Sequence, residues 1–285
     1  MSENEPNEQN ERTDSLEAIE HLIALSEEAV DRGDFTANEE YWEQALAMRL
    51  RLVPGDTEDT AHMLDDSGVS KELAGKHSEA ESLFMRAVAM YETIHSQEHA
   101  DIATVLDDLS RVKESRGDIE AALSVQDRAY SMRQRVQPKE DEASVMALMR
   151  CGFLKAQLGQ LEQAETDYVA AHEMMQRLGY GDHEAVAKNL ANRAHAISYL
   201  HRADESIQIF EEALAMQRRL YAGDHPDIAN CLSSLASIYL VIDQPHKARP
   251  IIEEAHAMAA RVYPEDHPHR GTIEGWYQTI CENTP

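Results

Sequence analysis

Two pairs of adjacent carboxylates, Asp65–Asp66 and Asp107–Asp108, stand 42 residues apart in a chain of 285. A carboxylate only accepts hydrogen bonds, so a doubled one selects cationic donors such as Lys or Arg. Histidines recur at the same interval: His183, His225 and His267 each follow an acidic residue. An Asp-His pair supplies two metal ligands, and a bound ion needs a third that converges on it. The sequence shows no such third residue, so the recurrence reads as loop and capping architecture. Cys151, Cys231 and Cys281 lie far apart, and none has an evident base to activate it as a nucleophile. The chain contains no HExxH, no paired CxxC and no glycine-rich phosphate loop ahead of a helix. Acidic residues abound, but abundance does not make a catalytic pair in a dry cleft. The expectation is a protein without catalytic activity, metal or cofactor.

The charge balance narrows the partners. Asp and Glu number 53 against 26 Lys and Arg, for a formal charge of −27. A field of that sign repels nucleic acid and anionic lipid head groups, and it favours cationic partners. Apolar residues make up 42% of the chain, enough for a folded core. No apolar run reaches the length of about 18 residues that a membrane helix needs. The first 14 residues, MSENEPNEQNERTD, are polar and acidic. They lack the basic-then-apolar order of a signal peptide and read as a disordered acidic leader. Three scattered cysteines suit a reducing compartment, so a cytoplasmic location is expected.

The elements that carry these groups follow from the same interval. Ala45, Ala87, Ala129, Ala171, Ala213 and Ala255 are spaced by 42 residues. Three places on stand Met48, Met90, Met132, Met174, Met216 and Met258. Three places before the alanines stand Trp42, Phe84, Gln126, Tyr168, Phe210 and Ile252. Leucine fills the column Leu22, Leu64, Leu106, Leu148, Leu190 and Leu232, and small residues occupy Ser26, Gly68, Ser110, Gly152, Ala194 and Ala236. The column from Leu52 to Val262 is wholly aliphatic. Spacings of three, four and seven place each set on one helix face, where small residues let two axes approach and large ones fill the adjoining holes. A column of Gly33, Gly75, Gly117, Gly159, His201 and Asp243 marks the break between two helices. Such a break calls for positive φ, which Gly takes freely and which His and Asp tolerate better than most residues. An acid recurs in the longer loop that follows, at Asp56, Glu98, Glu140, Asp182, Asp224 and Asp266. Its place shortly before a helix suits capping.

These residues resemble the tetratricopeptide repeat, in the 42-residue variety typical of kinesin light chains. The likeness is carried by DHPDIANCLSSLASIYL at 224–240 with IIEEAHAM at 251–258, and it covers residues 17–269. It implies an all-α fold: a right-handed α-solenoid of about six antiparallel helix pairs. Six repeats are expected over 15–269, with a capping helix and tail over 270–285. That cap is read from Ile273, Trp276, Tyr277 and Ile280, which share one helix face. The chain departs from the family where an aromatic is usual and Lys71, Lys113 and Lys155 stand; Tyr239 keeps the aromatic. Their stems are expected to cover apolar surface while the ammonium stays in water.

By this resemblance the first helix of each pair lines a concave groove. The groove residues are then Asp65, Asp66, Val69 and Glu72 in the second repeat, and Asp107, Asp108, Arg111 and Glu114 in the third. Met146, Met149 and Phe153 follow in the fourth, Lys188, Asn192 and His195 in the fifth, and Asn230 in the sixth. Kinesin light chains often carry an Asn pair where this chain has its two Asp pairs, and Asn192 alone keeps an Asn. The reading is a non-catalytic scaffold or adaptor that binds a protein or peptide, basic in character and with an apolar anchor for the Met/Phe patch. Nucleic acid and membrane are not expected partners. The alternatives are a self-assembling or cytoskeleton-associated structural protein, and a regulator that senses a peptide.

Overall fold

The computed structural model describes residues 14–95, 98–137 and 139–282, and among these it contains 13 α-helices and no strand. The chain forms two compact units, Met1–Pro138 and Lys139–Pro285. The N-terminal unit holds α1 (Leu16–Asp31), α2 (Phe35–Leu52), α3 (Glu58–Leu73), α4 (His77–His95), α5 (Ala100–Ser115) and α6 (Ile119–Val136). The C-terminal unit holds α7 (Glu142–Gln157), α8 (Leu161–Arg177), α9 (Glu184–Tyr199), α10 (Ala203–Leu220), α11 (Pro226–Val241), α12 (Pro245–Val262) and α13 (Pro268–Tyr277). Within each unit every helix packs on the next in chain order, and the expected pairs α1/α2 through α11/α12 are all present. The leader residues 1–13 and the tail residues 283–285 lie outside the described residues.

The repeating columns are the interior. All six alanines of the 42-residue series have 0% exposure. Phe84, Tyr168, Phe210 and Ile252 are buried against the small-residue column. Gly68 shows how tight this is, since a Cβ there would sit 2.6 Å from the Phe84 ring. At Gly152 the same atom would meet the Tyr168 ring at 3.0 Å. Gln126 is the polar exception in the aromatic column. It is buried, and its side-chain amide donates to Asp107 at 2.6 Å.

The break inside each pair behaves as its residues demand. Gly33, Gly75, Gly117 and Gly159 all have positive φ, and His201 and Asp243 adopt φ of 60° and 58° in their place. The two are the non-glycine residues with positive φ among those described. The chain closes the turn by returning a backbone N–H to a carbonyl five residues back, as from Gln244 to Tyr239 at 2.8 Å.

Between pairs, the structure corrects the reading of the acidic column. The cap is the next residue: Ser15, Thr57, His99, Asp141, His183, His225 and His267 each accept a backbone N–H of the following helix. Four of the acids, Glu98, Glu140, Asp182 and Asp224, and Asp14 in the same register, instead pair with an arginine 37 residues on. Arg51 holds Asp14, Arg135 holds Glu98, Arg177 holds Glu140, Arg219 holds Asp182 and Arg261 holds Asp224. A second correction concerns the lysines. Their ammonium groups pair with carboxylates: Lys71 with Glu39, Glu43 and Glu79, Lys113 with Glu81, and Lys155 with Asp167. Lys71 is buried, and burial of a cation demands such partners.

The last helix caps the C-terminal unit, beginning at Pro268 and running into a π-helical turn over Gln278–Glu282. Ile273 and Ile280 are buried, Tyr277 stacks on His256 at 4.3 Å, and α13 packs on α11 and α12.

Gly68→Ala and Gly152→Ala separate steric fit from helix propensity. Alanine improves propensity by about 1 kcal/mol at either site. At Gly68 the clash with Phe84 outweighs this, and a net loss of about 1–3 kcal/mol is expected in denaturant melts. At Gly152 the Tyr168 ring needs to yield by only a few tenths of an ångström, so that variant should lie within about 1 kcal/mol of the parent.

Candidate functional site

The face of the first helices is built from below by a column absent from the sequence reading. Arg49, Tyr91, Arg133, Met175, Gln217 and Ala259 are spaced by 42, each one place after the repeating Met, and all are buried. They lie on the second helix of each pair and meet the first helices. Arg49 donates to Thr60 and to Asp59 on α3. Tyr91 packs edge-on against His62 of α3 at 5.5 Å, and Arg133 pairs with Asp107 of α5. The signal was present in the sequence: one position inside an otherwise apolar frame varies freely in chemistry.

This column gives Asp65 and Asp107 opposite states although they are equivalent by repeat. Beneath Asp107 stand Gln126 and Arg133, and both bond its carboxylate. At the matching places beneath Asp65 stand Phe84 and Tyr91, so no cation reaches it from below. Burial, then the charges of Asp108 and Asp66, push the Asp65 pKa up to about 7. One of its oxygens is buried with no hydrogen-bond partner. Asp66 is shifted upward as well, chiefly by burial, with His62 opposing. Arg111 neutralises two more of the expected acids. It grips Glu72 through two bonds of 2.6 and 2.7 Å and reaches Asp108 at 2.7 Å. The field of this face is therefore weaker than its list of acids implies. Val69 and Glu114 lie beside these groups, both half-buried.

In the C-terminal unit the expected residues divide. Met146 and Phe153 on α7 are 47% and 39% exposed, whereas Met149 is buried and belongs to the core. Lys188, Asn192 and His195 on α9 and Asn230 on α11 line one cavity of about 660 Å³. The cap helix α13 supplies a further wall through Ile273 and Trp276. Gln217 of α10 also lines it. This side chain is 3% exposed, and its Oε1 has no partner. His195 lies edge-on to Phe210 at 5.9 Å and shares a 3.3 Å hydrogen bond with Ser234. Burial lowers its pKa, which favours the neutral ring. Cys231 also borders the cavity, but burial pushes its thiol up to about 12, far from a reactive thiolate. The site is thus lined mainly by amides, hydroxyls and aromatic faces, with Lys188 and Asp227 as charged members, and its size is that of a ligand pocket.

Family models described as tetratricopeptide repeat match residues 60–101 and 186–261. Both spans coincide with helix pairs and joints already described. At these two spans the chain carries tetratricopeptide repeats. Solved structures share the fold of this chain at low identity. The nearly identical TPR-like repeats of a kinesin-light-chain protein of Podosopora anserina are 16% identical, cover 73% of this chain and 98% of that one, and give a TM-score of 0.62. BtubC (BKLC) of P. vanneervenii is 19% identical, with 88% and 95% covered and a TM-score of 0.64. The quorum sensor NprR of B. thuringiensis is 10% identical, with 93% and 70% covered and a TM-score of 0.68. No curated protein matches the sequence at a significant level. Among the described residues, no helix is long and apolar enough to cross a membrane.

The raised pKa of Asp65 carries a pH signature. Its folded value lies above the unfolded one, so its contribution to stability is complete below about pH 4 and is lost as pH rises through about 7. Asp65→Asn should therefore stabilise the protein above pH 7, by about 1–2 kcal/mol after allowance for its partial exposure. The gain should fade as pH is lowered toward 4. Thermal melts of both proteins across that range measure it.

Proposed function

We propose that this tetratricopeptide repeat protein is a non-catalytic adaptor that binds an extended segment of another protein on the faces of its first helices. The observation that carries the reading is the cavity between α9, α11 and α13, where buried Gln217 leaves an acceptor unpaired beside the Asn192 and Asn230 amides. An amide both donates and accepts, so these groups suit a peptide main chain whatever its side chains. An unpaired buried acceptor costs about 1–3 kcal/mol, and a ligand N–H would recover much of that. Trp276 and Phe210 offer apolar walls for one ligand side chain.

Met146 and Phe153 offer a second apolar surface for an anchor residue, worth about 1.5–3 kcal/mol when buried. In the N-terminal unit Asp65 and Asp66 would draw basic residues, acting on association rate and salt dependence more than on affinity. Fold likeness to a quorum sensor supports a related reading, in which the bound segment changes the state of the protein as well as being held.

A peptide array followed by calorimetry on the full chain tests this. Ligands with about micromolar affinity are expected, enriched in basic residues beside an apolar one. Gln217→Leu removes the orphan acceptor and should leave stability unchanged or improved while weakening those ligands about tenfold. Asn230→Ala should weaken them comparably. Ligands whose affinity ignores both changes would exclude this cavity as the site. A change in hydrodynamic radius on binding would favour the sensor over the passive adaptor.

A further inference from the structure

The Asp-His loops lack a third convergent ligand in the sequence, but at the equivalent Glu98-His99 loop the tertiary structure brings three candidate ligands together. His95 ends α4, His99 caps α5 and Asp101 follows on that helix. One donor atom from each, with the imidazole nitrogens of His95 and His99, lies within 4.8 Å of the others. Glu58, the first residue of α3, brings Oε1 to 3.0 Å from His95 Nε2. His99 Nδ1 is 3.1 Å from Asp101 Oδ2. His95 Nε2 is buried and makes no hydrogen bond, in spite of the nearby carboxylate. Stacked on it lies Tyr91, fully buried, its hydroxyl without a hydrogen-bond partner. Two imidazoles, one with an orphaned nitrogen, therefore converge with the Asp101 carboxylate, and Glu58 approaches from the His95 side.

The sister loops show what is special here. Tyr221 stacks on His225 at 3.5 Å and Tyr263 on His267 at 4.4 Å, each as an aromatic ring on a capping histidine. His95 stands at the position of Tyr221 and Tyr263 and stacks on His99 at 3.9 Å. The substitution keeps the stack and adds a ligand. It is more than the packing of the fold requires, because tyrosine serves that purpose elsewhere.

We propose that His95, His99 and Asp101, with Glu58, bind a divalent transition-metal ion, zinc being the best match. Two imidazoles and a carboxylate are the donor set that zinc and cobalt favour over calcium or magnesium. Ligand bonds of about 2.0–2.2 Å require the donors to draw together from their present separations. The two rings are parallel within 10°, so both lone pairs meet one ion only if His99 turns out of the stack. That turn is feasible. The His99 side chain is half-exposed, and its capping bond is long, at 3.4 Å. A bound ion would tie the start of α3 to the junction of α4 and α5. The site is independent of the peptide cavity, which lies in the other unit.

The full chain, stripped of metal, is titrated with Co²⁺ and then Zn²⁺. One equivalent of Co²⁺ should produce the intense visible absorption of a tetrahedral site, and Zn²⁺ should abolish it. Zinc should also raise the melting temperature. His95→Tyr rebuilds the stack of the sister loops, and His95→Gln installs the residue that Gln137 places at the equivalent position, so folding should survive in at least one. Each should lose the cobalt spectrum and weaken zinc binding by more than the roughly 10–100-fold that losing an outer-shell partner costs. Absence of the spectrum in the parent protein would overturn the proposal. So would zinc affinity unchanged in a folded His95 variant, which would assign any binding to scattered surface histidines.

Discussion

A pair of helices about 40 residues long leaves an apolar face on each side that it cannot bury by itself, so the next pair must cover it. In this protein that requirement is met at very short range. Alanines with no exposed surface let helix axes close on one another, and a glycine accepts the ring of Phe84 almost against its backbone. Such contact tolerates no slip in register. Residues 42 apart therefore arrive at equivalent places within their units, and a change in one column is a change in chemistry at a fixed position.

The contrast between Asp65 and Asp107 shows the consequence. The two carboxylates share a register position and a neighbouring aspartate, yet one bears two strong bonds from below and the other faces an aromatic floor. The second helices thus decide what the first helices can offer. Arg133 turns an acid into a structural group, Tyr91 in the equivalent place supplies no cation to Asp65, whose pKa burial raises, and Gln217 leaves an acceptor waiting in a cavity.

The joints between pairs use another set of recurring contacts. A capping side chain, an aromatic ring stacked on a capping histidine and an acid held by an arginine 37 residues away recur from loop to loop. The ion pairs are exposed, so each contributes little to stability. The lysines that replace aromatics do more, because Lys71 brings a charge into the interior with carboxylates around it. There a polar cluster takes the place of apolar packing, which calls for exact partners and so favours one arrangement.

The sequence alone determined the helix pairs, their turns and the interior columns. These depend on periodicity and on local backbone preference, and each lies within one helix or one turn. Positive φ at His201 and Asp243 was legible for that reason, as was the burial of every alanine in the series. The chemistry of the site was legible only in outline. Asn192, His195 and Asn230 line one cavity, but Met149 lies in the core, and Gln217 and the wall from α13 were not foreseen. The tertiary structure alone decided which acids are paired, which polar atoms are left without partners and where two histidines meet. Those outcomes depend on side chains from different helices meeting within about 3 Å, and repeat spacing fixes the position of a Cα without fixing the reach of the group it carries.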